Sequence, residues 1–351
     1  MTGNRELFFS LLKAGLGWGE IDLKGFPITA GEWRAVWLAA QKQTVCGYIF
    51  AGIEKLPAEM QPPREMMMQM LAFTERIKKS NLKMQATAGE ITGWFEAEGL
   101  RPTIIKGITA GALYDRPELR MPGDIDMFFP EGYEKAVPVV RSKGIEVTLS
   151  SLHDMFTYNG IHVELHHTAF RTFRSTENID FSPILPEYGS YRGRVLNTKA
   201  NALLMILHPA KHFMNVGVGL RHLCDWAMFL KRYEEYPEME EAWKEVKRQG
   251  AERFAIEFTA IAVHYLGLEL KCPDKWIGKS KAAMRDKMMD MIIGQGNFGH
   301  RTRTKKRLLL YYIKYFAYLG RAFPYWKGFF WKNTTKLISY KLRLIIKEGK
   351  L

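Results

Sequence analysis

Residues 106–129 read KGITAGALYDRPELRMPGDIDMFF, and residues 159–167, thirty positions further on, read NGIHVELHH. Asp124 and Asp126 flank a single isoleucine in a run that otherwise has the apolar composition of a buried strand. Alternate residues of a strand point to one face, so the two carboxylates stand side by side. Like charges held together raise the free energy unless a cation neutralises them. An oxygen-seeking divalent ion is the natural partner. Glu164 brings a third carboxylate on a second apolar strand.

The sequence around these acids alternates short strands and helices. Residues 103–105 read as a strand, 107–114 as a short helix, 125–129 as a strand ended by Pro130, 133–143 as a helix and 145–149 as a strand. Residues 155–158 and 161–166 flank Asn159-Gly160, the dipeptide that most strongly marks a two-residue hairpin. The result is a small α/β unit with a mixed sheet. Upstream, residues 29–56 have helical spacing up to Pro57, and a second helix runs from Pro63 to about Gly99. Its apolar stripe (Met66, Met70, Phe73, Ile77, Met84, Ala88, Ile91, Phe95) is broken only where Asn81 fills one position. The stripe reads as core packing, with Asn81 either a satisfied core amide or a polar group reaching a neighbouring site. Residues 171–197 carry Pro, Gly and Ser and read as loop, and Thr198 caps a helix through about His208, after which helices dominate.

With 351 residues, 47% of them hydrophobic, the chain is long enough for two or three packed units. No apolar run reaches the ~18 residues a spanning helix needs, and the amino-terminal residues do not read as a signal peptide. Cys46, Cys224 and Cys272 are widely spaced, with no CxxC pair, which argues against a disulfide framework and fits a reducing compartment. The expected location is therefore cytoplasmic. The net charge of +14 is uneven: residues 301–351 hold 14 Lys and Arg against the single acid Glu348, and the rest of the chain is close to neutral. Such asymmetry concerns a partner rather than the fold.

Three carboxylates close to a strand–glycine–helix turn suit two-metal phosphoryl transfer, in which paired cations stabilise both the attacking and the leaving oxygen. Asp124, Asp126 and Glu164 are the expected catalytic and metal-binding residues, for two Mg2+ ions that Mn2+ can replace. Gly107 would let backbone N–H groups approach a triphosphate, and Lys106 and Arg120 are cations near that turn. Each signal has a plainer reading: a solvated strand edge for DxD, an ordinary turn for Gly107, a water-facing hairpin position for Glu164. His162, Glu164 and His166 also alternate along one strand face and form a possible zinc set.

The combination of the KG turn, LY-x-x-P-x-L-R, GDID and VELHH resembles the bacterial "uncharacterised nucleotidyltransferase" family, placed in the DNA polymerase β-type nucleotidyltransferase superfamily. The resemblance spans roughly residues 30–235, with 104–167 the specific portion. It implies metal ligation by Asp124 and Asp126, the third acid at Glu164 and the helix-start glycine at Gly107. Here Gly107 is followed by Ile108 where the superfamily has Gly or Ser, and the gap to Asp124 is longer. A helical stretch, His208-Pro-Ala-Lys-His212 then Leu220-Arg-His-Leu-Cys-Asp225, is similar to the family's H-x-x-x-H … LR-x-x-D pattern. By resemblance to toxin-like nucleotidyltransferases, Lys211 and Asp225 are carried over as nucleotide-binding residues. Read from spacing alone, Arg221 and Asp225 form an i,i+4 pair, and a buried Arg–Asp bridge with structural histidines is the alternative.

The expectation is thus an α+β protein, a small mixed-sheet nucleotidyltransferase core flanked by N-terminal and C-terminal helices. Its regions are 1–100 (helical), 101–198 (core), 199–300 (helical) and 301–351 (basic, aromatic extension). The expected function is Mg2+-dependent transfer of a nucleoside monophosphate from an NTP to an acceptor hydroxyl. A toxin-like enzyme acting on tRNA and a catalytically silent, membrane-associated adaptor in surface-polysaccharide assembly are the competitors. The extension mixes Lys and Arg with aromatics such as Tyr311, Phe323, Tyr325, Trp326 and Trp331. That mixture suits an anionic membrane surface, at the inner membrane face, or RNA, or aromatics packed on the rest of the chain.

Overall fold

The structure is a computed structural model describing residues 5–150, 153–170, 179–185, 193–215, 217–296, 320–328 and 331. Most of the basic extension lies outside the described residues, including Tyr311.

Four strands form the central sheet: β1 (Thr103–Ile105), β2 (Ile125–Phe128), β3 (Asp154–Tyr158) and β4 (Ile161–His166), in the order β1-β2-β4-β3. β2 and β4 run parallel, and the two outer pairings are antiparallel. Asn159 and Gly160 take φ of 52° and 71°, the left-handed pair that a two-residue hairpin turn requires. Because side chains alternate, the sheet has two unlike faces. Ile104, Ile125, Met127, Val163 and Leu165 point into one core together with Ala136, Val139 and Val140 of α6 (Tyr133–Ser142). Asp126 and Glu164 lie on the other face, paired directly across the parallel register. The expected strand at 145–149 is reduced to one bridge, Thr148 to Met155, after the left-handed turn at Gly144. The segment lies beyond the edge strand β3 with Glu146, Thr148 and Leu149 exposed and Ile145 and Val147 half-buried, too little apolar burial to zip up further.

The helix α4 (Arg64–Ala97) extends over 34 residues, about 50 Å, and joins the two cores of the molecule. Met70 and Ile77 sit in the large helical core, whereas Met84, Ala88, Ile91 and Phe95 cover the apolar sheet face. Asn81 falls between them and donates hydrogen bonds to the carbonyls of Glu118 and Arg120, both at 2.8 Å. The gap in the apolar stripe is therefore the point where α4 pins the loop leading to Asp124.

Upstream of α4 the single helix expected over 29–56 is two: α2 (Ala30–Gln43), opened by a Thr29–Glu32 capping box, and α3 (Cys46–Ile53). The break is Thr44, at φ 56°. It turns α3 so that Gly47 meets the backbone of Leu119, where a Cβ would lie 2.1 Å from the carbonyl oxygen. Only glycine permits that approach. α1 (Arg5–Gly15) packs on α3.

On the carboxyl side, α5 (Gly107–Gly111) is a single turn, shorter than expected. β5 (Pro183–Ile184) and β6 (Val195–Leu196) form a small ribbon within the expected loop. α7 (Thr198–Asn215) runs beyond His208 and through Pro209. Proline removes one helical hydrogen bond, but Leu203, Leu207, Ala210, Phe213 and Met214 are buried on both sides of it, and their burial keeps the axis going. Thr198 is the first helical residue, and Asn197 is the cap, its Oδ1 accepting from the Ala200 N–H at 2.9 Å. α8 (Leu220–Tyr233), α9 (Glu238–Arg248), α10 (Glu252–Ile261), α11 (Pro273–Ile277) and α12 (Ala282–Gln295) complete the helical core. From the basic extension, Tyr325 and Trp326 are buried in that core, donating to Met284 O at 2.7 Å and Gln249 O at 2.9 Å. These two aromatics belong to the packed interior. No described helix is long and apolar enough to cross a membrane.

Candidate active site

Asp124, Asp126 and Glu164 converge on the polar sheet face, and one carboxylate oxygen from each lies within 4.8 Å of the others. The register makes this inevitable: Asp126 is opposite Glu164, and Asp124 is two residues before Asp126. Lys106, the residue between β1 and α5, reaches the same place, its Nζ 2.5 Å from Asp126 Oδ1. His166 Nε2 lies 2.8 Å from that oxygen and 3.2 Å from Glu164 Oε2. The like-charge problem posed by the sequence is thus partly answered by the Lys106 ammonium and by the His166 contacts.

The electrostatics separate the two aspartates. Burial alone would raise the Asp126 carboxyl, but the Lys106 ammonium and the His166 hydrogen bond outweigh it and hold that group well below the usual carboxylate range. Asp124 moves the other way, raised by burial and then by the charges of Asp126 and Glu164. Burial opposes the charge on Lys106 and His166, and their carboxylate partners more than restore it, so both are raised. Lys106 also holds φ 59°, ψ −121°, a conformation that ordinary residues avoid at a cost of about 1–3 kcal/mol. It is held there by β1 pairing on one side, α5 on the other and its ion pair.

The sequence from 29 to 267 matches the family described as "Uncharacterised nucleotidyltransferase". The chain belongs to that family. It is accordingly an enzyme of the nucleotidyltransferase class. Two solved structures are distantly similar to the chain. The antibiotic-resistance factor ANT(2″)-Ia is 13% identical with a TM-score of 0.38, over 48% of this chain and 94% of that one. An antigenic nucleotidyltransferase-like protein from Paracoccidioides brasiliensis is 11% identical with a TM-score of 0.31, over 57% of this chain and 95% of that one. No curated protein sequence matches the chain.

In this nucleotidyltransferase the residues expected to meet nucleotide are placed as follows. Gly107 opens α5 with its Cα against the Asp124 carbonyl, which a Cβ would meet at 3.2 Å. With Asn81, Met84, Gly111, Arg120 and Pro122 it borders a small hollow, which none of the three acids lines. Arg120 and Asp225 are both buried and hold each other in a two-pronged pair, Nε to Oδ1 at 2.8 Å and Nη2 to Oδ2 at 2.7 Å. Tyr114 donates to the same Oδ1 at 2.7 Å. Asp225 therefore pairs with Arg120 across the fold rather than with Arg221 along α8. Arg221 instead donates from Nη1 to the carbonyls of Met121 and Pro122, at 3.0 and 3.3 Å. Together these contacts clamp the loop that delivers Asp124. Lys211 lies on α7 between His208 and His212, whose rings are 4.4 Å apart and adjoin His222 on α8.

His162 does not join the site: its Nδ1 is 3.1 Å from Thr157 Oγ1 on the exposed part of the hairpin. His153 takes its place, with Nε2 3.2 Å from Glu164 Oε1. Sequence reasoning missed His153, although the hairpin contained the signal. The register that pairs Tyr158 with Ile161 and Asp154 with Leu165, carried one residue further, sets His153 opposite His166.

The donor set fits divalent cations. It is all oxygen, and the ion pairs go to Asp126 and Glu164, with none to Asp124 among the described residues. Asp124 bears the remaining repulsion, so Asp124→Asn should raise the melting temperature in chelator and remove the rise that Mn2+ gives wild type. A Mn2+-induced rise as large as in wild type would show that Asp124 is not a ligand.

Proposed function

We propose that the protein transfers a nucleoside monophosphate from an NTP to an acceptor hydroxyl at the face formed by Asp124, Asp126 and Glu164. The observation that carries this reading is the convergence of three carboxylates from adjacent parallel strands beside a glycine-started turn. Two Mg2+ ions, or Mn2+ in their place, would supply charge neutralisation at the phosphates and a more acidic acceptor hydroxyl. Asp124 and Asp126 hold cations. Glu164, partly exposed and at the open side, orients the acceptor and takes its proton at a carboxylate oxygen. Lys106, once cations share Asp126, is placed to meet a phosphate oxygen, with Gly107 leaving room beside it. Arg120 and Asp225 act indirectly, by fixing the Asp124 loop, and Lys211 is a further cation on the helical side.

Glu164→Gln tests the assignment. It should lower turnover by about two orders of magnitude with little change in nucleotide affinity. Turnover within about threefold of wild type would remove Glu164 from the chemistry. The excess charge of residues 301–351 favours an anionic partner, either acceptor RNA or a lipid surface. Label appearing in tRNA would select the toxin-like alternative, and absence of both metal binding and label transfer would select the silent adaptor.

A further inference from the structure

A second group of donors meets on the same sheet face. His166 ends β4 and His153 directly precedes β3, and their rings are 5.1 Å apart. The Glu164 carboxylate lies between them, Oε1 3.2 Å from His153 Nε2 and Oε2 3.2 Å from His166 Nε2. One donor atom of each residue lies within 4.8 Å of the other two. Two ligands of a tetrahedral ion with bonds of ~2.0–2.1 Å are about 3.3–3.4 Å apart. Each nitrogen–oxygen separation, one to each oxygen of Glu164, is therefore close to one such edge. Exposure is graded: the His153 side chain is 23% accessible and that of His166 9%, an open approach with a fixed inner ligand.

We propose that His153, Glu164 and His166 bind a divalent ion of borderline softness, such as Co2+ or Zn2+, at a site that adjoins the aspartates and shares Glu164 with them. Mg2+ prefers oxygen, whereas imidazole suits Zn2+ and its neighbours, so two nitrogens and one carboxylate discriminate between them. Three protein ligands leave a position for water or substrate. His166 would exchange its contact with Asp126 for the ion, and Lys106 keeps Asp126 paired. The inference rests on the carboxylate reading only through Glu164.

The test titrates full-length protein separately with Co2+ and Mg2+, following heat and the visible Co2+ spectrum, for wild type, His153→Gln, His166→Gln and Asp124→Asn. Wild type should take up one Co2+ that depends on the histidines, in addition to whatever the aspartates hold. His153→Gln should weaken that Co2+ at least about tenfold, with loss of its visible band, and leave Mg2+ binding intact. Asp124→Asn should lose Mg2+ while keeping the histidine-dependent Co2+. An unchanged Co2+ titration in both histidine variants would overturn the proposal and show that the imidazoles serve only as counter-charges. Equal weakening of Co2+ and Mg2+ in His153→Gln would overturn it in favour of one shared site. Failure of wild type to bind Mg2+ while the histidine-dependent Co2+ persists would instead strike the carboxylate reading alone. His153 is partly exposed, so its glutamine variant is expected to stay folded, and a thermal melt checks this.

Discussion

Asp126→Asn is expected to lower nucleotidyl transfer about 10³-fold, a loss of ~4 kcal/mol of transition-state stabilisation. Asp126 is the central group of the site: it faces Glu164 across the register and receives both Lys106 and His166. Asparagine keeps the shape and removes the charge, leaving the Lys106 ammonium without its carboxylate partner and His166 with Glu164 alone. Steady-state transfer rates with α-labelled NTP check this, with circular dichroism to confirm folding. Activity within about tenfold of wild type would mean that the chemistry lies elsewhere.

The second large effect is on stability. Asp225→Ala should destabilise the protein by about 3–5 kcal/mol, because it strands a buried guanidinium. Arg120 would lose both of its bonds to Asp225 while Arg221, itself pushed down to about 10 by burial and by Arg120, remains a like-charged neighbour. The pair replaced as a whole, Arg120→Met with Asp225→Leu, should cost much less. Urea unfolding of the three proteins measures the difference. Asp225 is raised by burial and lowered further by Arg120, for a net fall. Its contribution is therefore present above the ordinary carboxylate pKa of ~3.9 and lost as pH falls through the lower folded value. Acid unfolding of the variant should accordingly be shallower below about pH 4 than that of wild type. A single variant as stable as wild type would show that the clamp is dispensable.

What could be read in advance depended on the range of the interaction. The hairpin was legible because Asn159-Gly160 sets its own turn, and the two aspartates because strand alternation is local. The α4 stripe was legible through its period, and its one flaw, Asn81, marks a tertiary anchor. Thr44 was hidden, since nothing local demands a left-handed residue there; the demand comes from Gly47 packing on Leu119. The helix expected to end at about His208 runs on through Pro209, because burial on both sides outweighs the one hydrogen bond that proline removes. The Arg120–Asp225 pair joins residues 105 positions apart, so spacing on α8 pointed to the wrong arginine. His153 was within reach of hairpin register alone.

The most direct test of metal-dependent nucleotidyl transfer by the Asp124, Asp126 and Glu164 face is a paired label experiment. Purified protein is incubated with cell extract, Mg2+ or Mn2+, and each NTP labelled at either the α- or the γ-phosphate. The account predicts that α-label enters an acceptor, that pyrophosphate forms in equal amount, that chelator abolishes both and that Asp126→Asn lowers both about 10³-fold. Transfer of γ-label, or α-label transfer by Asp126→Asn within about tenfold of wild type, would contradict it.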